Sequence, residues 1–225
     1  MPIRSVLFDV NETLSDMSAL RRRFEDVRAP GDLATAWFAG VLRDGFALTA
    51  AGAYADFRDV ADAGLHGLLT ALPGWDGDVS RAAAHVLDGF AELDVHHDVS
   101  DGVRALHAAG LRLATLTNGS AASTESLLSR AGLLGYFTAL LDVSAPRAWK
   151  PAWAAYRHAT GTLGADPAET LLVAVHPWDI DGARRAGLQA AWLNRDGVAY
   201  PAVMTAPTHT ATDLRSLARD LTAVG

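Results

Sequence analysis

Apolar residues follow two rhythms along the chain. Ser5, Val6, Leu7 and Phe8 form a short run with no polar alternation, the pattern of a strand covered on both faces, and Asp9 follows at its carboxyl end. From about Ser15 to Asp94 strand signal is nearly absent. Helical spacing replaces it over 34–42, where Trp37 and Phe38 fall, over 53–69 and over 79–93, with PGWDG at 73–77 as a breaker. From Val99 onward helices over 102–109, 121–131, 152–160 and 180–186 alternate with strands over 111–117, 139–143, 171–175 and 190–193. Such alternation predicts right-handed βαβ units and a parallel sheet. The first strand must join that sheet, because an isolated buried strand is not stable. The expected architecture is an α/β core of residues 1–14 and 95–225, interrupted by a helical cap of residues 15–94. A cap inserted directly after Asp9 would cover it.

Composition narrows the function class. Half of the 225 residues are hydrophobic and the formal charge is -7, which argues against nucleic-acid binding as the main activity. The run Arg21, Arg22, Arg23 is followed by Glu25 and Asp26 and reads as the solvated face of a helix. The absence of cysteine removes disulfides, thiolate metal sites and cysteine nucleophiles together. No signal segment or membrane-length apolar run is present, so the expectation is a cytoplasmic protein without a membrane partner. Trp37, Trp75, Trp149, Trp153 and Trp192 are expected in the core or at an interface.

Polar residues then cluster at predicted strand ends. They are Asp9 with Asn11 and Thr13, TLTNGS ending at Ser120, Lys150 in RAWKPAWAAY, and His176 with Asp179 in AVHPWDIDGA. Taken singly each has an ordinary reading, as a turn, a surface loop or a helix cap. All four lie where ligands of open α/β sheets collect, and that shared position favours a functional site. A carboxylate there can act as a nucleophile through an ester intermediate. Lys150 can keep it ionised. Thr117, Asn118 and the amides of Gly119 and Ser120 can donate to an anion, and Asp179 can orient water.

The order Asp9 to Thr13, Thr117 with Asn118, Lys150 and Asp179 resembles the four motifs of the haloacid dehalogenase superfamily over essentially the whole chain. The resemblance implies a doubly wound, Rossmann-like parallel-sheet core with an inserted helical cap and an aspartate nucleophile. The superfamily includes phosphatases and carbon–halogen hydrolases, so fold alone does not choose the reaction. Phosphatases carry an acid two positions after the nucleophile and a metal-binding aspartate four before the last motif aspartate. Here these places hold Asn11 and Val175, which disfavours phosphoryl transfer and a Mg²⁺ site.

The chain is more similar to the L-2-haloacid dehalogenases. The similarity lies in LTNGS, Lys150-Pro151 with Tyr156 downstream, the Trp178, Asp179, Gly182, Ala183, Arg184 pattern, and WLNR at 192–195. It implies attack of Asp9 on the halogen-bearing carbon of a small anionic 2-haloacid with inversion, then hydrolysis of the ester to a 2-hydroxy acid and halide. No metal or cofactor is implied, and a homodimer is compatible. Thr13 and His176 join the catalytic set of Asp9, Lys150 and Asp179. Asn11, Thr117, Asn118, Gly119, Tyr156, Trp178, Phe38 and Arg43 are expected to bind substrate. Several positions depart from the dehalogenase pattern. Asn11 replaces a tyrosine, Glu12 a glycine, Ala174 a serine, His176 an asparagine, and Phe38 the arginine that follows a cap tryptophan and holds halide. Arg43 could supply that charge only from a shifted helix, and Asn118, Trp178 and His176 are the other candidates. His176 is either a packed histidine or a base or halide donor beside Asp179. Glu12 is expected at most to cap the first cap helix. A Mg²⁺-dependent phosphatase and a catalytically weak anion-binding member are the alternatives.

Overall fold

Strand β1, Ser5–Phe8, occupies the middle of a six-stranded parallel sheet, and its position organises everything around it. The coordinates are a computed structural model that describes residues 1–223. The strands β2 (Arg112–Thr117), β3 (Phe137–Asp142), β4 (Thr170–Ala174), β5 (Gln189–Leu193) and β6 (His209–Ala211) stand in the order β3-β2-β1-β4-β5-β6. Phe8 lies level with Thr115 of β2 and Val173 of β4. The chain therefore winds outward in both directions from β1. The reversal between β1 and β4 opens a crevice at their carboxyl ends, where an α/β sheet binds ligands.

Alternate residues of the strands feed two apolar layers, as a pleated sheet requires. Val6, Phe8, Leu113, Leu171, Val173 and Leu193 pack with Val99, Val103, Leu106, Leu214 and Leu217. These last come from helices α5 (Val99–Ala108) and α9 (Leu214–Thr222). Leu7, Ala114, Leu116, Leu172, Ala174 and Trp192 face the other way, onto Tyr156 and Ile180 of helices α7 (Trp153–Leu163) and α8 (Pro177–Arg185). Burial on both sides explains why the strand sequences show no polar alternation.

Between β1 and α5 the chain forms α1 (Leu20–Asp26), α2 (Leu33–Ala50), α3 (Phe57–Ala71) and α4 (Val79–Asp88), with no strand from Met17 to Glu92. The outgoing and returning segments run side by side: Asp16 donates its amide to Asp94, His96 donates to Leu14, and Ser15 bridges Val95. The second apolar layer continues from the sheet into these helices through Trp37, Val41, Leu65 and Val86. Gly45 of α2 lies flat on the Trp149 indole, where a Cβ would come within 2.3 Å of the ring. A glycine is needed there for the helix to approach the loop before α7.

Helix ends follow local chemistry. Asp78 and Ser120 accept the amides of Arg81 and Ser123 at the starts of α4 and of α6 (Ala121–Arg130), and Gly164 closes α7 at a φ of 56°. The sequence reading omitted β6 and α9. The first is a three-residue edge strand, too short to carry a pattern, but α9 has a legible signal, the Asp213–Ser216 capping box ahead of an amphipathic run. Of the tryptophans expected in the core or at an interface, Trp153 is not in the core: it is 54% exposed and lies under the Arg157 guanidinium at the surface. Among the described residues no helix is long and apolar enough to cross a membrane.

Asp98, at the start of α5, is fully buried. It accepts from Arg195 Nη1 at 2.8 Å and from the amide of Leu214 at 2.7 Å, and Arg195 Nη2 donates to the carbonyl of Thr13. Burial raises the Asp98 carboxyl, but the Leu214 amide and Arg195 outweigh it and hold it below its ordinary value. Its stabilising contribution is thus present above the unfolded carboxylate range and lost as pH falls through the folded value. Asp98→Asn should lower unfolding free energy at neutral pH by about 2 kcal/mol. The gap from the unaltered protein should narrow below a pH of about 4, and urea denaturation across pH would reveal a constant gap if this pairing were unimportant.

Candidate active site

Each strand end contributes one part. Asp9 continues β1, its amide donating to Val173 of β4, so its position is fixed by the sheet. Asp9 Oδ1 accepts from Lys150 Nζ at 2.8 Å, and Oδ2 accepts from Thr13 Oγ1 at 2.6 Å. The Thr13 hydroxyl in turn accepts the Val175 amide, tying the β1 turn to the end of β4. Lys150 Nζ also donates to Asp179 Oδ2 at 2.6 Å, and Tyr156 donates its hydroxyl to Asp179 Oδ1 at 2.6 Å. Lys150 and Asp179 are fully buried and Asp9 nearly so.

One ammonium thus serves two carboxylates out of water. Burial pushes the Asp9 carboxyl up, but Lys150 and then His176 outweigh it, leaving Asp9 below the ordinary range and ionised. For Asp179, burial and the neighbouring Asp9 prevail over Lys150 and Tyr156, and its carboxyl is raised. Burial alone would lower Lys150, yet the two carboxylates hold it above its ordinary value, so it stays a cation. The Tyr156 phenol is pushed well up by burial and by Asp179, and remains a donor.

The loop carrying Lys150 is held from both sides. Asn118, just past β2, donates its amide to the Lys150 carbonyl at 3.1 Å and accepts the Lys150 amide at 2.7 Å. Trp149 donates its backbone amide to Thr49 of α2 and its indole N–H to Ala55. One donor and one acceptor of Asn118 are therefore spent on positioning Lys150, a role not anticipated from sequence. Gly119's amide is also committed, to Thr117 Oγ1 at 2.9 Å, which leaves the Thr117 hydroxyl hydrogen as the available donor. Tyr156 is likewise corrected: its hydroxyl binds Asp179, and its fully buried ring is not a substrate wall. Asp179 accepts one short hydrogen bond at each oxygen, from Lys150 and from Tyr156, and is fully buried.

Two cavities are lined in part by the turn that follows Asp9. One, of about 470 Å³, is lined by Asn11, Thr117, Gly119, Ser120, Arg58 and Asp142 among others. The other, of about 570 Å³, is lined by Glu12, Phe38, Val175, His176 and Arg195 among others. Arg43 reaches neither. It lines a third cavity between α2 and α3, where it is exposed and paired with Asp44, because α2 is not rotated toward the sheet. Asp142, inside the strand expected over 139–143, ends β3 and accepts the amides of Ala121 and Ser144, a role the spacing did not indicate.

His176 lies beside Asp9, not Asp179. Its Nε2 stands 3.3 Å from the Asn11 carbonyl, 3.5 Å from Glu12 Oε2 and 3.7 Å from Asp9 Oδ2. Its ring stacks on Trp178 with centroids 4.9 Å apart, and Trp178 meets Phe46 of α2 edge-on. Glu12 caps no helix; Asp16 accepts the Ser18 amide at the first helical turn. Burial raises the Glu12 carboxyl against the pull of His176. The Glu12 backbone has φ 62°, a conformation that glycine adopts freely and glutamate does not, and its carbonyl accepts from His96 Nε2 at 3.0 Å.

Residues 3–187 match the haloacid dehalogenase-like hydrolase family. The chain is 30% identical to an (S)-2-haloacid dehalogenase of Pseudomonas sp. strain YL, covering 96% of this chain and 93% of that one. It is 28% identical to haloacetate dehalogenase H-2 of Moraxella sp. strain B, over 92% and 93%. Among solved structures, the L-2-haloacid dehalogenase of Xanthobacter autotrophicus with covalently bound chloropropionic acid superposes at a TM-score of 0.89, with 25% identity over 99% of this chain and all of that one. The L-2-haloacid dehalogenase RSc1362 superposes at 0.91, with 30% identity over 98% and 99%.

Removing the Tyr156 hydroxyl leaves one oxygen of a buried carboxylate without its donor. Tyr156→Phe should lower unfolding free energy by about 2 kcal/mol. Urea denaturation checks this, and an unchanged midpoint and slope would show that the Tyr156–Asp179 bond carries no stability.

Proposed function

This chain belongs to the haloacid dehalogenase-like hydrolases, and from that membership we propose that it removes halide from short 2-haloacids by way of an aspartyl ester. Asp9 is the nucleophile. One of its carboxylate oxygens forms a bond to the halogen-bearing carbon as the carbon–halogen bond breaks, with inversion, and halide leaves with the bonding electrons. Water then cleaves the ester and releases a 2-hydroxy acid. Lys150 keeps Asp9 ionised, and Thr13 fixes the orientation of its second oxygen.

The observation that carries this reading is an ionised Asp9 held between Lys150 and Thr13, with neutral Asn11 where a leaving-group acid would stand. Halide departs without a proton, so no acid is needed. Val175 stands where the phosphatase pattern carries its metal-binding aspartate, which argues against metal-assisted phosphoryl transfer.

The substrate carboxylate fits the cavity of Asn11 and Thr117, where the Thr117 hydroxyl can donate and Arg58 supplies a positive charge. The two acids on that wall are engaged already, Asp56 by Tyr54 and Asp142 by the Ala121 and Ser144 amides. In this reading residues 15–94 act as a cap that excludes bulk water from Asp9.

Halide release from a panel of short 2-haloacids, with and without a chelator, tests the proposal. Chelator-insensitive release is expected, and Asp9→Asn should reduce it by ~10⁴-fold or more while leaving the fold intact. Magnesium-dependent phosphate release without halide, or full activity in Asp9→Asn, would overturn it.

A further inference from the structure

A short acid does not fill the cavity of Asn11 and Thr117. That cavity measures about 470 Å³. 2-Chloropropionate has about six non-hydrogen atoms, and if each takes no more than the ~30 Å³ of a liquid water molecule, the acid occupies less than half of the space. Val10 and Asn11 follow Asp9 directly, and Thr117 ends β2 at the same end of the sheet, since Phe8 is level with Thr115. These residues mark the reacting end of the cavity. The unfilled part lies along its other walls.

Those walls are of a different kind. Phe57 of α3, Leu87 of α4, Phe90 of the turn over 89–92 and Leu127 of α6 line them. Leu87 and Leu127 belong to the apolar layer that runs from the sheet into the helical insert, and the half-buried rings of Phe57 and Phe90 meet edge-on against it, with centroids 5.4 Å apart. The polar groups interspersed among them are engaged with one another. Ser120 donates to Ser123, Thr124 donates to the Ser120 carbonyl, Tyr54 donates to Asp56, and Asp142 accepts the Ala121 and Ser144 amides. A polar substrate tail would lose its hydration there for few new hydrogen bonds, whereas an apolar tail gains by leaving water.

We propose that these walls receive the substituent on C2 of the substrate, and that the preferred substrates are 2-haloacids carrying an apolar chain of roughly four or more carbons there. The inference rests on the dehalogenase reading and names the substrate class within it. Short acids turn over at the same groups, because the carboxylate and the carbon–halogen bond stay at the Asn11–Thr117 end whatever the chain length. Leu87 and Phe90 come from the insert and Leu127 from a helix that packs on the sheet, so the bound chain touches both. Selectivity for length is therefore set by residues away from the reacting carboxylate.

Halide release by the full chain from 2-bromo acids of increasing length, from 2-bromopropionate to 2-bromooctanoate, tests this. kcat/KM should rise by roughly threefold to fourfold for each methylene buried, until the walls are covered. Leu87→Phe and Leu127→Phe add bulk to the cavity from separate elements. Each should lower kcat/KM for 2-bromooctanoate by ~10-fold or more and leave that for 2-bromopropionate within about twofold. Retained turnover of the short acid reports an intact fold and reacting site. A kcat/KM that falls with chain length in the unaltered protein would overturn the inference without recourse to a variant. So would equal losses on both acids, or unaltered length selectivity in the two variants. No halide from any acid would instead remove the dehalogenase reading itself, an outcome distinct from release confined to the short acids.

Discussion

A single buried ammonium shared by two carboxylates sets the terms for the rest of the site. Lys150, Asp9 and Asp179 would each be costly to bury alone, and removing Lys150 leaves two carboxylates uncompensated in a dry interior. Three charges with one excess negative cannot be equivalent. The geometry resolves the asymmetry by giving Asp9 the hydroxyl of Thr13 and the nearby His176, while Asp179 has the Tyr156 phenol and a more enclosed place. Asp9 therefore keeps its charge most readily, and it is also the carboxylate that begins at the crevice.

Holding that ammonium in place takes contacts from distant parts of the chain. Asn118 clamps the Lys150 backbone from the end of β2, and Trp149 fastens the adjoining residue to α2 and to the segment before α3. Because Gly45 lets α2 lie directly on Trp149, the helical insert and the sheet share one anchor next to the reacting groups. The Arg195–Asp98 pair holds the Thr13 turn to α5 and α9 in the same manner. Rigid support from several elements is what keeps a constellation of this kind in register.

The crevice is also divided. Thr117 and Asn11 line one cavity, Glu12 and His176 the other. The division separates residues 11 and 117 from residues 12 and 176. It also gives a physical context for the departures from the dehalogenase pattern at positions 12 and 176, since the two side chains meet each other beside Asp9.

Much of this was legible in the chain itself. Unbroken apolar runs mark strands buried on both faces, helical spacing marks the segments between them, and the polar residues at four strand ends identify Asp9, Thr13, Thr117, Lys150 and Asp179 as candidates, because backbone periodicity and sheet winding are local properties. Direction and partnership were not legible. Nothing in the spacing says that Asn118 turns to the Lys150 backbone, that Tyr156 spends its hydroxyl on Asp179, that Arg43 stays on the far side of α2, or that His176 faces Asp9 and Glu12. Those outcomes depend on side-chain orientation among groups far apart in the chain. The sequence by itself determined which residues reach the carboxyl end of the sheet; only the tertiary structure decided which of them touch, because long-range packing assigns each buried charge its partner.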